Sequence, residues 1–464
     1  MNKKYLLTLL LAALGGCSLA PTYHRPELPV PSSWPDSAKS AGTRAMPDWK
    51  AYFPDPRLQA LIVTAFENNR DLRIATARIA EARAQYGIQQ SSRLPNVNLN
   101  ASRTASFTPA SVNFLPIPYE MQRYDVNASL VSFELDFWGR LSSLSAAAKA
   151  NYLSTESAEH AFRLSLIADV SNAYLSVLEL DEAGKVAADN ARGRKDVLDL
   201  TTRRRDLGVS SDMDVLVATG AYQSAVSEEA AIEQQKAAAK NLLTQLVGSM
   251  PDNLPPGRSL EEQGITPDLI AGMPGDVLLK RPDVEAAEQQ LIAANANIGA
   301  ARAAFLPRID LTGAFGSASR QINGLFDSGS KAWNFQPMLT MPLFDAGLNM
   351  ANLDVAKARK VIAVAQYEKA IQQAFHEVAD LLNARDSLSR QLQAQQANAQ
   401  SQKQRLKLAE ARYKAGIASN LELLDAERDA DTATQAELQV RLAELNASTK
   451  LYSALAGDTA VQAR

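Results

Sequence analysis

The residues best placed for chemistry are acids that follow two glycines at matching positions. Asp214 lies six residues after Gly208, and Glu422 lies six residues after Gly416. Asp425 follows Glu422 by three residues, so a helix presents both carboxylates on one face. Carboxylates repeated around a symmetry axis favour cations and raise one another's pKa. The alternative is that these acids only stabilise the N-terminal end of a helix.

The composition supplies little for catalysis. The chain has 464 residues with one cysteine and three histidines, and His24, His160 and His376 fall in unrelated regions. No catalytic framework of serine and aspartate accompanies them, and the sequence contains no glycine-rich phosphate loop. The formal net charge of −3 does not favour a nucleic-acid partner. We therefore expect a protein that is not an enzyme, holds no metal or cofactor and binds no nucleic acid.

The single cysteine follows a secretory signal, which we assign to residues 1–16. Its apolar run, Tyr5–Leu14, is shorter than the roughly 20 residues that a membrane-spanning helix needs. The run ends in Leu-Gly-Gly before Cys17, which is similar to a bacterial lipobox. In such signals the cysteine is lipidated, and a following Ser18 resembles the outer-membrane type. The alternative is a plain secretory signal with an incidental cysteine.

Proline-rich segments divide the chain. Eight prolines lie between Ser18 and Pro56, and a second cluster runs from Pro251 to Pro274. Because the first segment is rich in aromatic residues, we expect an extended strap that packs along the body. The boundaries predicted are a signal peptide (1–16), a lipidated strap (17–57), a first repeat (58–250), a linker (251–275), a second repeat (276–457) and a tail (458–464).

The two halves of the chain repeat the same landmarks in the same order. The offsets between matching landmarks are 208 to 212 residues for Pro95 and Pro307, Gly139 and Gly347, Gly208 and Gly416, and Gly248 and Gly457. Four landmarks at nearly constant offset indicate an internal repeat. Each half is expected to contain a short helix, two strands, a very long helix, a turn and a second long helix.

The predicted strands alternate between apolar and polar residues. Between Asn96 and Phe107 the odd positions are apolar apart from Arg103, and the even positions are Asn, Ser or Thr. The same alternation occurs at Tyr124–Leu130, Ile309–Thr312 and Trp333–Thr340. This pattern is typical of a strand between lipid and an aqueous lumen, where aromatic residues such as Trp333 mark the interface. A soluble sheet with one wet face is the alternative.

Four transmembrane strands cannot close a barrel, because about eight are needed to leave an interior wide enough for side chains. An unpaired strand edge in lipid would cost several kcal/mol for each orphan backbone group. If these strands span a membrane, the barrel must be shared between chains.

The predicted helices are unusually long. Leu348–Ala415 contains neither glycine nor proline over 68 residues, which corresponds to about 100 Å of helix. Ile417–Ala456 also lacks both, and Arg140–Asp206 and Val209–Val247 lack proline. These segments are too polar to lie in lipid, so we expect solvated helices that pack on one another. A tethering coiled coil is the alternative.

Four segments of the sequence, in this order of features, resemble the TolC-type outer-membrane efflux proteins, and more narrowly their lipoprotein branch, which contains OprM and CusC. The segments are Phe133–Arg140 (FELDFWGR), Leu279–Val284 (LKRPDV), Ala293–Ala301 (AANANIGAA) and Leu423–Ala426 (LLDA). The resemblance extends from Cys17 to Gly457. It implies a mostly α fold with membrane β-strands: a homotrimeric α/β barrel whose twelve strands, four per chain, continue into a periplasmic coiled-coil barrel of helices.

The resemblance also implies a function and partners. The channel would be the exit duct of a tripartite pump, docked to a periplasmic adaptor (membrane fusion) protein and an inner-membrane RND transporter. It would be anchored in outer-membrane lipid through Cys17 and export drugs or other toxic small molecules. Two alternatives remain open: a type I protein-secretion duct of the same fold, and a structural coiled-coil lipoprotein. The sequence does not distinguish antibiotics, solvents, dyes and metal ions as cargo.

Within that resemblance, the helix turns at Gly208 and Gly416 correspond to the closed periplasmic tip. The family's constricting acid rings fall on Glu422 and Asp425. Its locking contacts fall on Tyr413, Asp214 and Arg428. This chain has Ala418 where some members have a basic residue, which makes Arg412 a candidate substitute.

Overall fold

The computed structural model describes residues 19–34, 47–112, 117–265, 269 and 274–456. The signal peptide, Cys17 and the tail at 458–464 lie outside the described residues, as does part of the predicted linker. Nine helices and four strands occur in the described ranges: α1 (Trp49–Tyr52), α2 (Pro56–Asn68), α3 (Arg70–Ser91), β1 (Val97–Thr108), β2 (Tyr119–Leu135), α4 (Arg140–Asp206), α5 (Asp212–Val247), α6 (Pro274–Leu278), α7 (Pro282–Ala303), β3 (Arg308–Ser319), β4 (Lys331–Thr340), α8 (Leu348–Lys414) and α9 (Asn420–Leu455).

The predicted internal repeat is confirmed by matching element lengths. Helices α4 and α8 each have 67 residues, and α5 and α9 each have 36. The element order α3-β1-β2-α4-α5 returns as α7-β3-β4-α8-α9. Two copies of one strand–helix unit therefore make up most of the chain.

The chain forms two compact units. The strand unit comprises the chain up to Glu27, Arg78–Glu156 and Ala286–Tyr367, and it contains the sheet. The helical unit comprises Leu28–Ala77, Ser157–Glu285 and the chain from Glu368, and it contains both turns between long helices. Among the described helices, none is both long and apolar enough to cross a bilayer.

The strand unit contains one antiparallel sheet in the order β1-β2-β3-β4. Its register aligns the apolar positions of all four strands, as in the row Leu99, Ala128, Phe315 and Trp333. The opposite face is polar, and there the Asn100 amide donates to the Ser129 hydroxyl at 2.6 Å. The alternation seen in each strand therefore adds up to one continuous apolar face, as expected when the strands share a register.

Two features fit β2 to β3. Gly316 is needed because a Cβ there would overlap the carbonyl oxygen of Val126 on β2. A bulge between Leu130 and Phe133 shifts the register, and Ser132 within it has a φ of 46°. The bulge bends β2 just before the chain turns into α4.

Paired charges brace the junction between strands and helices. Glu134 is buried near the C-terminal end of β2, and Asp310 is buried near the N-terminal end of β3. The Arg140 guanidinium donates to both oxygens of Glu134 at 2.8 and 2.6 Å, and Arg308 Nε contacts Asp310 at 2.9 Å. Asp136 accepts from two backbone amides of the first turn of α4, at 3.0 and 2.7 Å. The direction of α4 is therefore set by charges as well as by the chain path.

The strap packs along the body in its described part. In the strand unit, Arg25 forms a two-point ion pair with Glu288 of α7, at 2.7 and 2.9 Å. Asn295 of α7 donates to the carbonyl of Pro21 at 2.6 Å. Gly299 admits the strap because a Cβ there would lie 2.7 Å from the nitrogen of Ala20. Packing along the body is as predicted, but the strap is not extended throughout, since it includes helix α1.

In the helical unit the strap's aromatic residues are buried. Trp34 stacks on Phe375 of α8 with ring centroids 4.9 Å apart. Tyr52 stacks on Tyr452 of α9 at 4.5 Å, and its hydroxyl donates to the carbonyl of Ser448. These aromatic contacts supply much of the apolar area that an irregular segment needs to remain docked.

Asp55 connects three distant segments of the helical unit. Its carboxylate is fully buried and caps α2 by accepting from the Arg57 amide at 2.8 Å. It also accepts from the hydroxyl of Tyr174 on α4, and from the Arg258 amide and the Gln263 side chain of the linker, at 2.9, 3.0 and 3.0 Å. Four donors to one carboxylate hold the linker against α4.

We expect Asp55→Ala to destabilise the protein by about 2 to 4 kcal/mol, because it leaves buried donors without an acceptor. The apparent Tm of the detergent-solubilised protein, measured by circular dichroism, should fall by several degrees. Asp252→Ala, which removes an exposed acid of the same linker, is the control and should leave Tm unchanged. Equal Tm values for the two variants would contradict the role assigned to Asp55.

Candidate functional site

The candidate site lies at the two turns that join long helices. Gly208 and Gly416 have φ of 78° and 75°, the left-handed region in which glycine ends a helix without strain. The backbone hydrogen bonds of the two turns match: the Val209 amide donates to the carbonyl oxygen of Arg204, and the Ile417 amide donates to the carbonyl oxygen of Arg412. The repeat therefore extends to the backbone of the turns, and any difference between them comes from their side chains.

In the first repeat, the acid after the turn, Asp214, forms hydrogen bonds with the serines of that turn. Ser211 caps α5, and its hydroxyl accepts from the Asp214 amide while the Asp214 carboxylate accepts from the Ser211 amide at 2.9 Å. The hydroxyl of Ser210 also donates to Asp214 at 3.0 Å. Hydrogen bonds from Ser211 and Ser210 hold the pKa of Asp214 below its usual value. Within one chain, Asp214 therefore acts as a helix cap.

In the second repeat, the corresponding acid forms an ion pair across the turn. Arg412 Nη1, in the last turn of α8, donates to Glu422 Oε1 at 2.6 Å. Ser419 caps α9 by accepting from the Glu422 amide at 3.2 Å. The carboxylate of Glu422 is thus left to bind Arg412, the residue that the sequence offers as the basic partner near Ala418.

Two further acids, Asp425 and Asp429, follow Glu422 along α9. Arg428 contacts Asp425 at 3.3 Å and Asp429 at 3.4 Å. Asp429 also accepts from Arg405 of α8 at 2.5 Å, and this hydrogen bond lowers the pKa of Asp429. Residues 422, 425 and 429 share one face of a helix, so three carboxylates alternate with arginines there. We call this set, Arg405, Arg412, Glu422, Asp425, Arg428 and Asp429, the charged stripe.

Tyr413 is buried beneath the turn. It packs with Ala409, Leu423 and Ala426, and only 6% of it is exposed. The guanidinium of Arg204, from the first repeat, lies 5.0 Å from the centre of its ring. Tyr413 therefore connects the last turns of α4 and α8 to the first turn of α9.

A second group of carboxylates is partly buried among residues of the four long helices. Glu427 and Asp431 of α9 face Arg194 of α4, whose Nη2 is 3.7 Å from Asp431. Glu228 of α5 and Glu410 of α8 add negative charge to the same group. Burial is the main reason that the pKa of Glu427 rises to about 7 and that of Asp431 to about 6, while Arg194 opposes both increases.

Sequence reasoning identified part of this arrangement. It named Glu422, Asp425 and Arg428, and the spacing of four from Asp425 to Asp429 was a further signal that it left unused. It missed Glu427 and Asp431, because nothing in the local sequence shows that these acids point inward. Arg194 lies in another repeat, so its pairing with Asp431 has no sequence signature.

The described residues contain no group of three or more His, Cys, Asp or Glu side chains arranged to hold a metal ion. The candidate site is therefore electrostatic: charges and one buried aromatic ring located where long helices turn. Such an arrangement affects how firmly the ends of the helices are held together.

The sequence profile described as "Outer membrane efflux protein" matches residues 61–249 and 273–457. The chain belongs to the outer membrane efflux protein family. It is 40% identical to the probable efflux pump outer membrane protein TtgC of Pseudomonas putida over 463 residues, covering 98% of this chain and 96% of that protein. It is 42% identical to outer membrane protein OprJ of Pseudomonas aeruginosa over 423 residues, covering 90% and 88%.

Solved structures agree with the family assignment. The crystal structure of the open state of the Neisseria gonorrhoeae MtrE outer membrane channel matches with a TM-score of 0.87 at 37% identity, covering 95% of this chain and 98% of that one. A membrane protein from Pseudomonas aeruginosa matches with a TM-score of 0.87 at 40% identity, covering 95% and 100%. This protein is therefore a bacterial outer membrane channel of an efflux pump, and it is a transport protein rather than an enzyme.

The stability of this channel should fall as pH rises through the pKa values of Glu427 and Asp431. Both pKa values are raised by folding, so the folded chain binds protons that the unfolded chain releases between about pH 4 and pH 7. The resulting stabilisation is present at low pH and lost as pH rises through about 6 to 7. We expect the apparent Tm to be a few degrees higher at about pH 5.5 than at about pH 8.

The combined Glu427→Gln and Asp431→Asn variant should remove most of that difference, since its side chains do not titrate. Asp199→Asn, which changes an exposed acid of α4, is the matched control and should keep the pH dependence. A variant whose Tm depends on pH as steeply as the wild type would show that other groups are responsible.

Proposed function

We propose that the channel is the exit duct of a tripartite RND-type pump that exports solvents, antibiotics or other toxic small molecules. Relatives at about 40% identity are named as efflux pump outer membrane proteins, among them an antibiotic pump component, ArpC, and a toluene pump component, TtgC, both of Pseudomonas putida. The chain has no phosphate-binding loop, so energy must come from a partner. A periplasmic adaptor and an inner-membrane RND transporter are the partners that such a duct requires.

The observation that carries the proposal is a sheet with one apolar face and two open edges. The order β1-β2-β3-β4 leaves β1 and β4 each with one neighbour in the described chain. Open edges in lipid are costly because no water satisfies their backbone groups. A homotrimer removes this cost, since three copies supply twelve strands that close on themselves and enclose a lumen on the polar face.

The proposed anchor is a lipid on Cys17. The lipobox-like sequence before Cys17 supports this anchor, as do the contacts that hold the strap just after it. Arg302 of α7 donates to the carbonyl of Leu19, and Asn295 donates to that of Pro21. One residue separates Cys17 from Leu19, which the strand unit holds, so the acyl chains would enter the membrane beside the sheet.

The proposed gate is the charged stripe together with Tyr413 and Asp214. In a trimer, Glu422 and Asp425 would each form a ring of three carboxylates facing the same axis. Arg412 and Arg428 partly neutralise these acids within each chain, which reduces the repulsion that closing three tips would create. The turns at Gly208 and Gly416 would then lie at the closed periplasmic end, where an adaptor opens them.

Removing both acids should open this gate and weaken or reverse its preference for cations. In the combined Glu422→Ala and Asp425→Ala variant, Arg412 loses its partner and Arg428 keeps only Asp429, so the charge lining the constriction becomes more positive. We expect the resting conductance in planar bilayers to rise severalfold and the preference for cations to weaken or invert. Asp212→Ala, an exposed acid after the first turn, is the control and should change neither. Unchanged conductance in the combined variant would disprove the gate assignment.

The oligomeric state is tested by the mass of the purified channel. Light scattering corrected for detergent should give three times the mass of one chain, because the proposed closed sheet of twelve strands takes four from each chain. A stable monomer would overturn the shared sheet and with it the exit-duct proposal, in favour of a lipid-anchored scaffold.

A further inference from the structure

Arg103 is an exception on the apolar face of the sheet. It follows Ala101 on β1 and, like it, points to the side that carries the apolar residues. The register pairs it with Tyr124 of β2, and its guanidinium lies 5.6 Å from the centre of the tyrosine ring. Arg103 is exposed in the chain, and none of the described acidic side chains forms an ion pair with it. A cation in this position needs an anionic partner from outside the chain.

A second cation lies at the same level on the other edge of the sheet. Lys331 begins β4 and pairs with Ser317, which in turn pairs with Val126 of β2. It lies one row from Arg103, with Tyr124 and serines between them, and no described acid forms an ion pair with it either. On this face β2 carries the acid Glu120, four residues before Tyr124, where it accepts from Gln122 at 3.1 Å.

The position of these cations follows from the apolar band beside them. On β4 the band runs from Leu339 to Trp333, and Lys331 comes eight residues from Leu339, about 27 Å along the strand. Strands of outer-membrane barrels tilt by about 35–45°, so this length spans about 20 Å of the roughly 25 Å apolar height of such sheets. The helices leave the sheet at the Leu339 end, and the loops that join strands lie at the Lys331 end. With the helices in the periplasm, Arg103 and Lys331 lie at the outer surface of the bilayer.

We propose that Arg103, Tyr124 and Lys331 form a binding surface for the phosphate groups of an outer-leaflet glycolipid. Guanidinium and ammonium groups pair with phosphate, and the tyrosine lies at the depth where amphipathic rings favour the interface. The face is apolar on the side of the acyl chains and cationic on the side of the headgroup, which matches a phosphorylated sugar lipid along its whole length. This inference rests on the proposed orientation of the channel.

The two cations lie on the two edge strands, β1 and β4. When neighbouring chains pair these edges, each boundary between subunits has Arg103 on one side and Lys331 on the other. A glycolipid phosphate bound there contacts two chains at once. The lipid therefore stabilises the assembled channel in addition to surrounding it.

The experiment measures how many glycolipids the purified full-length channel retains. Native mass spectrometry in detergent is performed with added lipid A carrying two phosphates, with the same lipid after phosphate removal, and with phosphatidylglycerol. The combined Arg103→Gln and Lys331→Gln variant should bind diphosphorylated lipid A at least about tenfold more weakly than the wild type. Wild-type binding should fall similarly when the phosphates are removed.

Arg123→Gln is the matched control, because Arg123 is on the opposite face, where it pairs with Asp125 at 2.8 Å. It should bind like the wild type, and Arg103→Lys should retain most of the affinity because the charge remains. Equal binding by the wild type and the combined variant, binding insensitive to phosphate removal, or equal binding of phosphatidylglycerol would each overturn the proposal.

Conductance separates this inference from the function on which it rests. The combined variant should still form conducting channels in planar bilayers, since neither cation faces the polar side of the sheet. If the wild type itself gives no conducting channel, the exit-duct function fails. If the variants conduct normally while glycolipid binding is unchanged, only the lipid site fails.

Discussion

The structure depends on one constraint: every backbone group of a strand placed in lipid must find a hydrogen-bond partner within the protein. The four strands satisfy it along three interfaces and leave it unsatisfied at the outer edges of β1 and β4. The apolar face, the alternating strand sequence and the long solvated helices all follow from a chain that contributes one part of a larger closed sheet. The proposed trimer satisfies this constraint by pairing the open edges between chains.

The long helices bury apolar side chains against one another, and a few specific connections add to this packing. Asp55 joins the linker to α4, while the Trp34 and Tyr52 rings fasten the strap. Around the turns, Tyr413 packs under Arg204, and paired charges connect α8 to α9. Such contacts are local, so one end of a helix can rearrange while the other end stays in place. A gate formed at the turns would need the helix ends there to move while the opposite ends stay in place.

The same charge chemistry serves two different purposes at the turns. Surface pairs such as Arg412 and Glu422 remain hydrated, so each contributes little to stability. Glu427 and Asp431 are partly buried beside one arginine, and their burial raises the pKa of both carboxyl groups. The two sets lie within three turns of α9, which means that the proposed gate is built beside a group that responds to pH.

The sequence by itself determined the repeat, the alternating faces of the strands, the long helices and the glycine turns. These features have periods of two or about four residues, or require one residue type, so they are visible in a single segment. Only the tertiary structure decided that Asp429 meets Arg405, that Asp431 faces Arg194, and that Arg103 and Lys331 lie in adjacent rows of one face of the sheet. Those meetings depend on how each helix is rotated about its axis and how the strands are aligned, because a shift of one residue sends a side chain to another face.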